Sequence, residues 1–294
     1  MALVVESYSS GTSTTKTVVV TKPTGVSVGD LLLIIAPSNG GGSLSSPGFS
    51  AAYSATYDAP GGISDTTVHV LYKIADSADV SASNYSVTYV DAVGAIAAML
   101  RISGWVSGNP VYQSSYAGTY SSANGSVSST GLTLARDTQQ IALMIGASYD
   151  GSNSDYYKNE SNRTITSSDS NPSWTEICNL GPVTNNVNGV SALTLNVAYA
   201  STSFSSTVTG FSFTYEEFDA DDTGSIIGVL LLLNTPINTT GSNSLLSVSP
   251  TVFTNVSVTV GGQGTNALLA VSPNLPSQSG EALQPTHWTT ITKS

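Results

Sequence analysis

The sequence contains an internal repeat, which limits the folds open to the chain more than any single motif does. Residues 17–38 read as an alternating strand, a turn and an apolar run, and residues 127–148 echo them at an offset of 110. Two later segments are echoed in the same order: 85–89 by 211–215, and 94–100 by 224–230. We therefore expect two copies of one module, at residues 1–110 and 111–236.

The repeated segments have the pattern of β-strands. Val, Thr, Tyr and Phe dominate them, and most alternate at period two; they are 17–21, 68–72, 85–89, 193–197 and 211–215. Turn signals such as Asn39–Gly42 and Gly181-Pro182 separate the strands, and no stretch combines helical spacing with caps. The run 226–233 is apolar throughout and 93–102 is apolar apart from Arg101, as in fully buried strands. The predicted fold is all-β, with duplicated antiparallel β-sandwich or jelly-roll-like halves.

Residues 237–294 read as an incomplete third copy. Residues 266–273 resemble 30–38, and Trp288–Ile291 resembles Trp174–Ile177. Because the opening strands of a sandwich cannot cover their own apolar face, we expect a C-terminal β arm that docks on a neighbouring copy or on another protein. The apolar residues of this predicted arm include Leu245, Leu246, Val252, Phe253, Leu268, Leu269 and Trp288.

Composition argues against two classes of partner. The 8 basic and 19 acidic residues give a net charge of -11, which repels phosphate backbones and anionic lipid surfaces. No apolar run reaches the length of a membrane span. We therefore expect neither nucleic-acid nor membrane binding. Charged residues make up only 9% of the chain, whereas Ser and Thr account for 84 of the 294 residues, so hydroxyl groups supply most of its polar surface.

Candidate catalytic and cofactor motifs are weak. Gly25–Gly29 fits the G-x-S-x-G pattern around Ser27, but an apolar strand follows it where a nucleophile elbow needs a helix. His69 lies in an alternating strand and is expected to be partly buried. A carboxylate pair such as Glu176 with Glu217 could cleave polysaccharides, yet one acid per strand arises by chance. A single cysteine, Cys178, reads as a core residue. We predict a protein that is not an enzyme and carries no cofactor.

The densest charge is the acidic segment 216–222. Asp219, Asp221 and Asp222 resemble the start of a calcium loop, but Leu230 stands where the loop would need a bidentate carboxylate. A solvated hairpin tip that protects a strand edge is the first interpretation. A weak calcium site is the alternative.

Tyrosine is unusually frequent, with 14 Tyr against 6 Phe. Tyr112, Tyr116 and Tyr120 are evenly spaced, so in an extended strand they share one face. A second group, Tyr149, Tyr156 and Tyr157, is predicted to lie in a loop rich in Ser, Asn and Asp. Three interpretations stay open for these residues: contact between subunits, stacking on sugars at a host surface, and packing within the domain.

Several segments of the first copy have the residues of a known module: Lys22–Pro37, Val70–Ala75, Tyr85–Tyr89 and Ala95–Val111. Together they resemble a β-sandwich module of tailed-phage structural proteins, found in fibres, minor tail components and head decorations. The resemblance implies a non-enzymatic outer virion component, a capsid decoration or a fibre, with itself and other virion proteins as partners. The N-terminus lacks a signal peptide, which predicts assembly in the host cytoplasm. The alternative is a tail-fibre adhesin that recognises host surface glycans, with a polysaccharide depolymerase less favoured.

Overall fold

The computed structural model confirms an all-β fold for the residues that it describes. It describes residues 3–40, 42–60, 65–90, 94–105, 110–121, 124–134, 140–150, 157–166, 171–184, 192–202, 208–217 and 224–233. Residues 1–236 form one compact unit. The Val- and Thr-rich alternating segments predicted as strands are strands, because each places apolar side chains on one buried face.

The strands of the first half are β1 (Val4–Ser13), β2 (Thr17–Thr21), β3 (Leu31–Asn39), β4 (Leu44–Ser45), β5 (Ser50–Tyr57), β6 (Thr66–Ile74), β7 (Asn84–Tyr89) and β8 (Ala95–Ser103). Those of the second half are β9 (Val111–Ser121), β10 (Gly125–Leu134), β11 (Gln140–Asp150), β12 (Tyr157–Thr166), β13 (Thr175–Thr184), β14 (Ala192–Thr202), β15 (Val208–Glu217) and β16 (Gly224–Leu233).

Both halves use the same strand order. The first half forms a five-stranded sheet, β1-β8-β3-β6-β5, and a three-stranded sheet, β2-β7-β4. The second half forms β9-β16-β11-β14-β13 and β10-β15-β12. Adding eight to each strand number of the first half gives the second, and the pairs are antiparallel throughout. The sequence repeat predicts this correspondence.

Three apolar cores arrange the four sheets as four layers. One core lies between the two sheets of the first half and contains Val18, Ile34 and Val87. A second lies between the two sheets of the second half and contains Met144 and Phe213. The third and largest core, which we call the central core, joins the five-stranded sheets of the two halves.

The four-layer arrangement explains the uninterrupted apolar runs. In β3, Leu33 and Ile35 point into the central core, whereas Leu32 and Ile34 point into the core of the first half. Strands β8, β11 and β16 are covered on both faces in the same way. A strand buried on both faces has no solvent face on which polar residues are required.

The two halves present the same face to each other. Edge strand β1 packs against β13, edge strand β5 packs against β9, and β3 lies against β11 at the centre. Exchanging the halves exchanges the first two contacts and preserves the third. This is the pattern of an isologous, twofold-related dimer, here built within one chain.

The structure corrects one part of the repeat alignment. Ile35 pairs with Ala98 and the equivalent Ile145 pairs with Val229, so Ala98 corresponds to Val229. The segment equivalent to 95–100 is therefore 226–231, one residue later than the sequence comparison places it. The correction matters because an alignment that is wrong by one residue assigns every side chain of the strand to the opposite face of the sheet.

Two local features also differ from the prediction. A five-residue helix, α1 (Ser77–Ser81), follows β6, and a capping box between Asp76 and Asp79 begins it. Gly181 and Pro182 lie within β13 at a register shift, not in a turn. Proline is tolerated there because β13 is an edge strand and the bulge needs no ladder hydrogen bond from it.

Candidate functional site

Four tyrosines lie on the facing edge strands where the two halves pack together. Tyr53 and Tyr57 stand on the central-core face of β5, and Tyr116 and Tyr120 stand on the facing side of β9. We call this group the tyrosine seam. Along β9 these residues alternate with others that face the opposite way, so the seam follows from the period-two geometry of a strand.

The backbone and a hydroxyl fix two of the seam tyrosines. Tyr57 lies directly over Gly118, where a Cβ atom would overlap the tyrosine ring. Tyr53 forms a side-chain hydrogen bond with Ser114. Burial raises the pKa of both phenols: for Tyr53 the Ser114 hydrogen bond opposes the rise, and for Tyr57 the neighbouring Asp58 adds to it. Both hydroxyls are therefore neutral, and able to donate, at physiological pH.

Tyr116 is the accessible member of the seam. It follows Ser114 and precedes Gly118 on the same face of β9, so its side chain leaves the strand between Tyr53 and Tyr57. Tyr116 is 50% exposed. The other three are partly buried. The seam therefore has a fixed floor and one ring that the chain's own packing leaves half uncovered.

The opposite seam, between β1 and β13, has a different chemistry. Cys178 pairs with Val197 as Tyr53 pairs with Val70, so it takes the place of Tyr53 there. Leu180 and Val183 line the same strand at the central core. Tyr8, on the central-core face of β1, is 44% exposed. The pseudo-twofold relation between the halves therefore repeats the backbone without repeating the aromatic side chains.

The other predicted tyrosines are not gathered at the seam in the described part of the chain. Tyr149 lies in β11, not in a loop, and packs partly buried against the central core. Tyr112 and Tyr157 lie in β9 and β12, but their side chains are outside the described part, as is all of Tyr156. Sequence reasoning missed Tyr53 and Tyr57, although their spacing of four matches that of Tyr112, Tyr116 and Tyr120.

The G-x-S-x-G segment forms a turn. The Ser27 amide donates to Asp30 Oδ2 at 2.8 Å, and Arg101 Nε donates to the same oxygen at 2.6 Å. Strand β3 begins at Leu31, so the helix that a nucleophile elbow requires is replaced by a strand, as predicted. These residues hold the turn against the end of β8.

A serine–histidine contact occurs at another place. Ser38 Oγ lies 2.9 Å from His69 Nε2, and Ser54 Oγ lies 3.4 Å from Nδ1. Burial lowers the pKa of His69, and its hydrogen bond with the Gly42 carbonyl partly opposes this. Ser38 is only 1% exposed and a hydroxyl stands where a triad has a carboxylate. The Ser38 contact satisfies buried polar groups, and Ser54, on the other side of the imidazole, is exposed.

The predicted acidic sites lie mostly outside the described residues. Glu176 forms an ion pair with Arg163 at 3.5 Å, and the side chain of Glu217 is outside the described residues. Asp219, Asp221 and Asp222 also fall outside them, as do the arm residues Leu245, Leu246, Val252, Phe253, Leu268, Leu269 and Trp288. No group of three or more His, Cys, Asp or Glu side chains within the described ranges could hold a metal ion. Cys178 is buried, as expected.

Comparison with known proteins finds no family model, no curated protein and no solved structure that matches the chain. Within the ranges that the structure covers, no helix is long and apolar enough to cross a membrane.

Proposed function

We propose that the chain is a non-enzymatic structural protein of a tailed-phage virion, an outer component such as a capsid decoration or a fibre. The observation that carries the proposal is the joining of two like halves, face to face, in one body. The sequence resemblance of the first half supplies the virion context.

The sheet edges support a role in controlled assembly. Each of the edge strands β1, β5, β9, β10, β12 and β13 has a register shift against its inner neighbour. The inner pairs formed by β3 and β11 have none. Bulged edges resist uncontrolled strand addition. A protein present in many close copies on a particle needs this protection.

The regular edge strand β2 is covered in another way. Ser9 Oγ, on β1, donates to the Thr21 carbonyl at 2.5 Å, and Ser7 Oγ donates to the Thr24 carbonyl at 2.8 Å. The Ser9 side chain thus occupies an acceptor at the end of β2, and Ser7 bonds to the turn that follows the strand. Contacts with other copies are then left to sheet faces and to the proposed C-terminal arm.

The outer face of the β10-β15-β12 sheet suits contact between like-charged copies. Its centre carries exposed or half-exposed hydroxyls: Ser126, Ser128, Ser161, Thr164, Ser212 and Thr214. Thr164 and Ser212 bond across the strands at 2.6 Å, and Ser161 and Thr214 at 2.9 Å. Copies with a net charge of -11 repel one another. A neutral hydroxyl face lets them approach where that repulsion is weakest.

The test is to image particles of the encoding phage with and without this chain. A regular lattice of density that disappears with the chain supports decoration, and loss of a few projections with normal infectivity supports a fibre. Particles of unchanged composition and appearance would refute the virion role. A chain ending at Pro236 separates the arm: we expect it to fold and fail to add to particles, whereas normal addition would refute the arm.

The alternative function is a receptor-binding adhesin that recognises host surface glycans. The half-exposed ring of Tyr116 favours it. Loss of adsorption together with loss of a few projections, in the same imaging experiment, would support the adhesin over the decoration protein.

A further inference from the structure

We propose that the tyrosine seam is a binding site for a neutral saccharide chain, with Tyr116 as the stacking ring and Tyr53, Tyr57, Tyr120 and Ser114 around it. The proposal names a site and a ligand class for the adhesin alternative. It stands apart from the virion role, because the purified chain binds sugar, or fails to, with no particle present.

The side chains at the seam match the two surfaces of a sugar ring. A tyrosine presents an apolar face and a polar hydroxyl, and a pyranose presents a C–H face and a rim of hydroxyls. The half-exposed ring of Tyr116 offers the apolar face. The neutral phenols and the Ser114 hydroxyl supply hydrogen-bond donors and acceptors around it.

The seam is organised before a ligand arrives. Tyr57 is held over Gly118, and Tyr53 is held by burial and by its bond to Ser114. A binding surface whose side chains are already fixed loses less conformational entropy when the ligand docks. Tyr and Ser on a rigid framework are also the residues that adaptable binding surfaces use most.

The charge distribution selects a neutral ligand. Neither β5 nor β9 contains a single Lys, Arg, Asp or Glu in its sequence. Carboxylates lie beside the seam: Asp58 is next to Tyr57, and Asp65 accepts a hydrogen bond from the Ala59 amide. With a net charge of -11 on the whole chain, an acidic polysaccharide would be repelled, and neither β5 nor β9 offers it a cation. A neutral glycan meets neither obstacle.

The proposal predicts one site per chain. The equivalent seam between β1 and β13 has Cys178, Leu180 and Val183 in place of the aromatic floor. Its exposed aromatic, Tyr8, has nearly the same exposure as Tyr116. Tyr8 is therefore a matched control.

The experiment measures binding of the full chain by calorimetry to a panel of neutral hexasaccharides of glucose, mannose, galactose and N-acetylglucosamine, with hexagalacturonate as the acidic counterpart of the galactose probe. We expect at least one neutral hexasaccharide to bind and hexagalacturonate not to bind. Tyr116→Ser should raise the Kd about fivefold or more, the size of a lost aromatic contact. Tyr116→Phe, which keeps the ring, and Tyr8→Ser should each change it less than about twofold.

Three results would overturn the proposal: no binding to any neutral probe, preferred binding of hexagalacturonate, or equal loss of affinity in Tyr8→Ser and Tyr116→Ser. Circular dichroism of each variant shows whether it is folded. If Tyr116→Ser is misfolded, NMR spectra of the unsubstituted chain replace this variant, and we expect the Tyr116 ring signals to change in chemical shift when sugar binds. Unshifted Tyr116 signals under saturation would then refute the seam.

Discussion

His69 takes the position in the first half that Asn196 takes in the second. His69 pairs with Ala36 on β3, and Asn196 pairs with Gly146 on β11. His69 contacts the buried Ser38 hydroxyl, whereas Asn196 Oδ1 accepts a hydrogen bond from Arg163. Each half therefore has a polar side chain at this position inside the sandwich, a titratable histidine in the first half and a neutral amide in the second.

The difference predicts a dependence of stability on pH that comes from the first half. Burial lowers the pKa of His69 below its unfolded value of 6.5, so the unfolded chain binds the proton more readily. Its stabilising contribution is present above pH 6.5 and is lost as the pH falls through the folded pKa. Thermal unfolding at pH 8 and pH 5 should show a smaller drop in Tm for His69→Asn than for the unsubstituted chain.

The control for this prediction removes the other histidine. His287 is replaced by Asn in both proteins, so that His69 alone distinguishes them. Carboxylates that titrate near pH 5 then contribute equally to both profiles. Identical drops in Tm would show that His69 takes up its proton as easily when folded as when unfolded.

Arg101 and Asp30 form an ion pair that the second half lacks. By register Arg101 corresponds to Leu232, and the repeat places Gln140 at the position of Asp30. Asp30 is 7% exposed, so Arg101→Leu leaves a buried carboxylate without its countercharge. We expect a loss of about 3 kcal/mol in urea unfolding.

The double change Arg101→Leu with Asp30→Gln reproduces the residues of the second half. Because neither residue is then charged, it should recover most of the lost stability. A double variant as unstable as Arg101→Leu alone would mean that packing of the arginine stem, not charge, holds this end of β8.

At the scale of single strands, β5 and β9 can approach each other closely because Gly118 has no side chain. The ring of Tyr57 occupies the space that a side chain at position 118 would need. Gly118→Val should therefore destabilise the chain by about 1–3 kcal/mol. In a Tyr57→Ser background the same substitution should cost about 0.5 kcal/mol or less, since the ring is gone. Equal costs in both backgrounds, measured by urea unfolding, would contradict this contact.

The sequence was sufficient to predict the elements whose pattern is set by local burial. Alternating segments such as 85–89 and 211–215 became strands with Tyr or Phe facing inward, since a half-buried strand tolerates no other pattern. The apolar residues of β8 and β16 are expected to be buried, and they are from residue 95 and residue 226 onward; Arg101, the charged residue of β8, is partly buried. Val93 lies outside the described residues.

The features that sequence reasoning missed depend on contacts between distant segments. The sequence alignment of 95–100 with the second half is wrong by one residue. These residues are all apolar, so no alternation shows which side chains lie on which face of the sheet. The tyrosine seam joins β5 to β9, which are more than fifty residues apart, so neither group of tyrosines indicates the other. Pro182 reads as a turn because only the sheet order shows that β13 is an edge.

At the scale of the whole molecule, the central core makes residues 1–236 one folding unit. Residues from both halves line it, among them Leu33 of β3 and its equivalent Leu143 of β11. If the halves separated, each would expose the inner face of a five-stranded sheet, an apolar patch larger than soluble proteins usually present. Neither half should therefore persist when the other unfolds.

The measurement that tests this claim most directly is urea unfolding of the full chain labelled with 5-fluorotryptophan and followed by fluorine NMR. Trp105 lies in the central core beside the first half, and Trp174 packs against the core of the second half. We predict that their native resonances disappear with the same midpoint and slope. We also predict that Leu143→Ala, in the second half, lowers the free energy of unfolding by about 2–5 kcal/mol, and by the same amount whether it is followed at Trp105 or at Trp174. Separate midpoints, or a shift confined to Trp174, would show two independent sandwiches and contradict the account.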